Sequence, residues 1–323
     1  MLRMDPFAVR TARTYAEARE LWLTSPDPMY VAGGTDLLPN LKHKIVHPKT
    51  VIALDVPGAV HDRGDTVVID ASVKISAVAT HPLVRALLPP LAQAASLIAG
   101  PQIRAMGTLG GNVLLDTRCL YYNQSEFWRN ALGYCLKAEG TWCHVVGGPK
   151  TCVAAQSSDS VPVLLALDAT LDLLGPDGAR TLAIRDLYRF NGMDHLAIQK
   201  GELLTAITVK KPGAGFRGSY QKLRTRDSID YPQLGVAITG TWAGNVPTAL
   251  EIVIGAANPQ PKPVRGLEAF LGAPMDDAAA TAVSDAVYKQ TRPQGSVHGD
   301  VPWRRQMAAV YTRRGLLALA AQG

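Results

Sequence analysis

The chain has four cysteines, Cys119, Cys135, Cys143 and Cys152, and they crowd into one segment of a 323-residue sequence. Thiols used as small core hydrophobes do not cluster in this way. Four soft ligands on one segment are the minimum set for an all-thiolate metal centre or an iron–sulfur cluster. The intervening lengths are 15, 7 and 8 residues. Structural zinc sites favour closely spaced cysteine pairs on tight knuckles, and no such pair occurs here. Loops this long suit a larger object, such as a cubane cluster with a thiolate at each corner. A zinc ion, disulfides and unliganded thiols are the alternatives. Arg118, Lys137 and Lys150 lie near enough in sequence to offset the charge of four thiolates, or else are ordinary surface. His144, beside Cys143, reads as a structural or hydrogen-bonding residue. Tyr121, Tyr122, Phe127, Trp128 and Trp142 read as packing that keeps water from the thiols, or as a small satellite core.

Two glycine-rich turns come before the thiols. Gly33-Gly34-Thr35-Asp36 follows a short apolar strand, and Gly107-Thr108-Leu109-Gly110-Gly111-Asn112 directly precedes the cysteine segment. Glycines let backbone N–H groups approach an anion, a threonine adds a hydroxyl donor, and a helix N-terminus adds partial positive charge. Neither turn fits the dinucleotide or P-loop spacing. Each alone also reads as a tight turn without a ligand; two together suit a dinucleotide pyrophosphate. No Ser–His–Asp constellation or H-E-x-x-H motif is present, and the seven histidines are scattered.

The elements that must position these residues read as follows. Thr14-Tyr15-Ala16-Glu17 is a capping box opening a helix to about residue 23. Strands are expected at 29–32 and 51–54, with a short helix from Leu37. Val67–Ile69 and Val73 read as strand. Residues 75–80 and 83–99 read as helix, broken at Pro89-Pro90. Val161–Leu167 is a strand- or core-sized apolar run. Residues 169–174 form a strand entering a Gly175–Gly178 hairpin, and 203–209 another strand. Lys210–Gly215 is the best linker. Antiparallel strands are expected at 218–223, 234–241 and 250–255, followed by helices over 278–288 and around Trp303, Met307, Val310 and Tyr311. This predicts an α+β chain with units at 1–56, 57–212 and 213–323, the second holding the cysteine insertion at about 116–157.

Composition is that of a globular protein, with 47% apolar and 19% charged residues. The net charge of +6 is spread out; Arg304-Arg305 and Arg313-Arg314 read as a solvated or partner-facing helix edge, and no basic run interleaved with aromatics favours nucleic acid. No apolar stretch reaches about 18 residues, so no membrane span is expected. No leader is evident, and unpaired thiols then fit a cytoplasmic protein.

Val31-Ala32-Gly33-Gly34-Thr35-Asp36-Leu37 resembles the first FAD motif of the flavoprotein (medium) subunits of the xanthine oxidase, or molybdenum hydroxylase, family. Gln102-Ile103-Arg104 leading into Thr108-Leu109-Gly110-Gly111-Asn112 resembles the second. Ser158-Asp159, with Pro162 and Leu164–Ala169, resembles the next block. Tyr220–Arg226 resembles the start of the C-terminal domain. The match runs in order along essentially the whole chain. The insertion that carries the cysteines, with Asp116-Thr117-Arg118-Cys119, Tyr122–Ser125 and Tyr134–Lys137, resembles that of the 4-hydroxybenzoyl-CoA reductase branch, where it holds a [4Fe–4S] cluster.

The resemblance implies a two-subdomain FAD-binding domain of the PCMH type followed by an α+β C-terminal domain. Val31, Ala32, Gly33, Gly34, Thr35, Asp36 and Leu37 would hold the FAD pyrophosphate from one side, and Thr108, Gly111 and Asn112 from the other, with Ala99 also at the cofactor. Asp159 would meet the adenosine ribose region and Lys222 the flavin end. Cys119, Cys135, Cys143 and Cys152 would carry [4Fe–4S], and no catalytic residue is expected on this chain. The implied partners are a large molybdopterin subunit and a small subunit with two [2Fe–2S] centres, in a dimer of heterotrimers, with ferredoxin as electron donor. Two further readings are an oxidative hydroxylase subunit using NAD or a quinone, and a zinc-stiffened flavin scaffold.

Overall fold

The computed structural model describes residues 2–322. The first sheet comprises β1 (Ala8–Ala12), β2 (Pro28–Val31) and β3 (Thr50–Leu54), parallel and in the order β1-β3-β2. Parallel neighbours need crossovers, supplied by helices Tyr15–Thr24 and Leu37–Lys42. The Thr14 hydroxyl caps the first helix by accepting from Glu17 N–H at 3.1 Å. The Glu17 carboxylate reaches past Thr14 to accept from Arg13 N–H at 2.8 Å, so the box closes one residue early. Strand β1 has no sequence signature: four of its five residues are exposed.

The second unit is an antiparallel sheet of β4 (Val60–Arg63), β5 (Thr66–Asp70), β6 (Thr170–Gly175), β7 (Gly178–Ala183) and β8 (Leu203–Lys210), ordered β4-β5-β8-β6-β7. Val67, Ile69, Leu171, Leu173, Ile207 and Val209 point to one buried face at a period of two. Helices Ile75–Thr80, Pro82–Leu87, Pro89–Leu97 and Ser160–Ala166 bring their apolar sides to the same core. The run at Val161 is helical; Ser160 through Leu165 are all buried, and a helix buried all round shows no period in its sequence. Val73 is not in a strand but in the turn into Ile75–Thr80. The cysteine segment leaves this unit after helix Leu109–Val113 and returns at Ser160, with little regular structure besides helix Glu126–Ala131.

The third unit is an antiparallel sheet of β9 (Phe216–Leu223), β10 (Leu234–Ala243), β11 (Val246–Gly255) and β12 (Lys262–Pro263), ordered β12-β11-β10-β9. Helices Asp277–Gln290 and Val301–Ala320 pack on it. The last helix presents a different face from the one expected. Trp303 is exposed, and the buried stripe is Arg304, Ala308, Thr312, Gly315, Leu316 and Leu319. Arg304 is therefore not a solvated edge. Its guanidinium donates to the carbonyls of Gln233 (2.8 Å), Gln294 (2.7 Å) and Ala256 (2.9 Å). Burial pulls its pKa down to about 10. Among the described residues no helix is long and apolar enough to cross a membrane.

Candidate functional site

A cavity of about 530 Å³ opens where the three units meet, a size typical of small-molecule and cofactor sites. The first unit contributes Val31 to Leu37 with Tyr15, Tyr30 and Leu54. The second contributes Ala99, Gly107, Thr108, Gly111, Asn112, Asp159 and the start of β8. The third contributes Ile229, Asp230 and Tyr231 from the loop between β9 and β10.

The two glycine turns lie back to back. A Cβ on Gly33 would sit 2.1 Å from the Met106 carbonyl oxygen, so only glycine permits this approach. Their backbones do different work. Among the described residues, the amides of Gly33, Gly34, Thr35 and Asp36 have no acceptor within the protein. They are free donors on the cavity wall, as an anionic pyrophosphate requires. The second turn is largely satisfied internally, and among the described residues only its Thr108 amide lacks an acceptor. Leu109 N–H donates to Val73 O (2.9 Å), Gly110 N–H to Ala71 O (2.8 Å) and Asn112 N–H to Thr108 O (3.0 Å). Gly111 N–H donates to Thr108 Oγ1 at 3.1 Å. The two cradles differ in free donors: the second turn caps a helix and shapes the wall, keeping only the Thr108 amide free. Its polar contribution comes from Asn112, whose Oδ1 accepts from Ser158 and Ser160 hydroxyls, each at 2.6 Å, leaving its amide donors available.

Ala99 has φ of 43°, unusual for a residue with a Cβ. Its carbonyl accepts from Arg104 and from Ile229 N–H, both at 3.2 Å, which ties the third unit to the wall. Tyr15 Oη and Ser72 Oγ face each other on the wall, and neither completes a hydrogen bond of normal geometry. Glu202 accepts from Arg180 at 2.6 and 2.8 Å, and this bonding holds its carboxyl below the usual carboxylate range.

Asp159 and Lys222 occupy one place, not opposite ends of a cofactor. Lys222 Nζ donates to Asp159 Oδ2 at 2.9 Å and to Leu97 O at 3.0 Å, and Tyr220 Oη donates to Asp159 Oδ1 at 2.8 Å. Asp159 lines the cavity; Lys222 lies behind it. Burial raises the Asp159 pKa and lowers that of Lys222, while their attraction opposes both shifts.

The four cysteines are brought together. All are unpaired and buried, and they line one small internal cleft with Tyr121, Tyr122, Lys137, His144 and Ala154. The backbone amides of Tyr121 and Tyr122 near Cys119, and that of Ala154 near Cys152, favour the thiolate forms. Burial nonetheless pushes the Cys119 thiol up to about 12 and raises Cys152 as well. Among the described residues no group of three or more His, Cys, Asp or Glu is placed to hold a single metal ion. The Lys137 ammonium is nearly buried, bonded to Asp116 Oδ1 and Thr117 Oγ1 at 2.6 Å each, and lies 4.5 Å from the Tyr122 ring centroid. His144 Nε2 pairs with Tyr134 O at 2.8 Å, and its ring packs on Tyr121. Lys150 is exposed. The aromatic shield is smaller than expected: Tyr122 is buried, but Phe127 is 84% exposed and Trp142 48%.

The sequence reading missed two walls. Gly192, in a loop after β7, packs on the thiols so closely that a Cβ would lie 2.7 Å from Cys152 Sγ. Its only signal was the turn composition of Asn191-Gly192. The Ile229–Tyr231 wall carried no motif.

Comparison with known proteins agrees with this geometry. Residues 5–212 match the family described as the FAD binding domain in molybdopterin dehydrogenase. Residues 218–319 match the CO dehydrogenase flavoprotein C-terminal domain. The chain is an FAD-binding medium subunit of the xanthine oxidase and carbon monoxide dehydrogenase family. It is 30% identical over 300 residues to the carbon monoxide dehydrogenase medium chain of Afipia carboxidovorans, covering 90% of this chain and 88% of that one. It is 26% identical over 321 residues to the xanthine dehydrogenase FAD-binding subunit of Escherichia coli O157:H7, covering 97% and 96%. Among solved structures, carbon monoxide dehydrogenase from Hydrogenophaga pseudoflava superimposes with a TM-score of 0.79 at 25% identity, covering 99% of both chains. The medium subunit thus has the PCMH-type FAD domain and α+β C-terminal domain expected of it, and it is an oxidoreductase subunit.

Proposed function

We propose that this medium subunit carries FAD and a [4Fe–4S] cluster as the electron-transfer subunit of a molybdenum-dependent aryl-CoA reductase of the 4-hydroxybenzoyl-CoA reductase type. It would stand between a low-potential donor such as ferredoxin and two partners, a small subunit with [2Fe–2S] centres and a large molybdopterin subunit where the phenolic hydroxyl is removed. The observation that carries this reading is the convergence of four buried, unpaired thiols in one cleft beside the flavin cavity.

The donor set fits a cluster. Four soft ligands converge, and the nearly buried Lys137 ammonium, with the backbone amides near Cys119 and Cys152, offsets the negative charge that a thiolate-bound centre brings. The cavity residues fit FAD equally well. Within Val31 to Leu37, Gly33 to Asp36 offer free amides to a pyrophosphate; Thr108, Gly111 and Asn112 close the opposite side, and Ala99 and Asp159 complete the wall. When bound, the flavin supplies both one- and two-electron transfer and so links a single-electron centre to pair chemistry. The protein's share is to hold the groups apart at a fixed spacing, exclude water and set their charge environment.

The test is cofactor analysis of anaerobically purified protein, followed by assay of the full complex. Iron and acid-labile sulfide in the proportions of a cubane, with FAD, support the relay. Zinc without sulfide would replace it with a stiffened flavin scaffold. Reduction of an aryl-CoA by the complex with reduced ferredoxin supports the reductive direction; turnover only with NAD or a quinone as acceptor would make it an oxidative hydroxylase.

A further inference from the structure

One side chain spans both sites. Arg118 stands immediately before Cys119 in the cysteine segment, and its Nη1 donates to Asp36 Oδ1 at 2.5 Å. The same guanidinium lies 4.0 Å from the centroid of the Tyr231 ring. Asp36 ends the glycine turn with the free amides, and Tyr231 comes from the third unit; both line the cavity, and Arg118 sits behind them. Its main chain is fixed from the thiol side. Arg118 N–H donates to Ala155 O and Ala155 N–H to Arg118 O, each at 2.8 Å, which pins the two ends of the cysteine segment together. The ion pair is only partly exposed, 18% at Arg118 and 26% at Asp36, so solvent screens it incompletely.

We propose that Arg118 is a positioning residue that couples the two cofactor sites. From the cysteine segment it holds Asp36 and Tyr231 in place against the cavity, so that an ordered thiol segment tightens FAD binding and bound FAD in turn steadies the thiol segment. The inference rests on the reading of the cavity as the FAD site and of the thiol cleft as the cluster site. The coupling is reciprocal because both ligands bias one set of contacts. A lysine at this position keeps a positive charge near Asp36 but loses the flat guanidinium over Tyr231.

The experiment uses the full chain stripped of flavin and titrated with FAD by flavin fluorescence, for wild type, Arg118→Ala and Arg118→Lys. Arg118→Ala is expected to bind FAD about tenfold more weakly, which corresponds to ~1.4 kcal/mol, and Arg118→Lys to fall between it and wild type. A second readout is the rate at which iron is lost to a chelator with and without FAD. Flavin should slow that loss in wild type and not in Arg118→Ala. Wild-type FAD affinity in Arg118→Ala, or iron loss in wild type that ignores FAD, overturns the coupling alone. A wild-type chain that binds no FAD overturns the cofactor reading along with it. A wild-type chain with FAD but no iron overturns the coupling, because one of its two sites then holds nothing, and leaves the FAD reading standing. Where Arg118→Ala does not fold, Arg118→Lys and Tyr231→Leu carry the test, and unchanged affinity in both overturns it.

Discussion

Gly33 and Gly192 are the positions where a single added methyl group separates the two sites experimentally. In Gly33→Ala the new Cβ meets the Met106 carbonyl oxygen at 2.1 Å, and backbone cannot yield cheaply. The glycine turns are forced apart, and the protein is expected to lose most of its FAD while the iron of the proposed cluster stays bound but leaves faster to a chelator, measured by flavin absorbance against iron content. In Gly192→Ala the clash is with Cys152 Sγ at 2.7 Å, so the expected outcome is the reverse: the iron of the proposed cluster falls most, and FAD weakens by no more than the roughly tenfold carried through Arg118. Asp159→Asn leaves the Lys222 ammonium buried without its counter-charge; a loss of roughly 3–5 kcal/mol in urea unfolding is expected. How far such residues were legible depends on their mechanism. Glycines and cysteines announce themselves because no other residue does their work. The Asp159–Lys222 contact joins residues far apart in sequence, and nothing local states that they meet. Arg304 reads as surface by type, because only the tertiary fold brings three carbonyls to it.

At the scale of elements, strand β8 delivers Glu202 to the cavity wall, and Arg180 on β7 clamps it. Arg180 bonding holds Glu202 below its ordinary value of 4.5, so the native state favours the charged form. This contribution is fully present above about pH 4.5 and is lost as pH falls through the depressed value. Glu202→Gln should therefore flatten the acid limb of a stability–pH curve, and lower stability near neutrality by roughly 1.5–3 kcal/mol in chemical denaturation. The sheets and the two long C-terminal helices were legible wherever one face is buried and the other wet, as in β6, whose burial alternates residue by residue. Elements without that contrast were not. Edge strand β1 has too little apolar content, and helix Ser160–Ala166 has too much on every side.

Across the whole molecule, the thiols and their neighbours form a small cluster of their own, separate from the main cores of the second and third units. Replacing all four cysteines by serine is accordingly expected to remove iron and weaken FAD binding, yet leave the far-ultraviolet circular dichroism near wild type. Collapse of the secondary structure would show instead that the segment is integral to the fold. The run of helices and strands along the chain could largely be read from sequence; the cavity could not, because it is made where three sheets meet. That placement has a consequence for biogenesis. A nascent chain that has emerged only through β8 already displays both glycine turns and every cysteine, but not the side of the pocket formed by Ile229, Asp230 and Tyr231. The pocket is therefore enclosed on that side only once the carboxy-terminal third has been made, and a ribosome stalled before it would present an open trough.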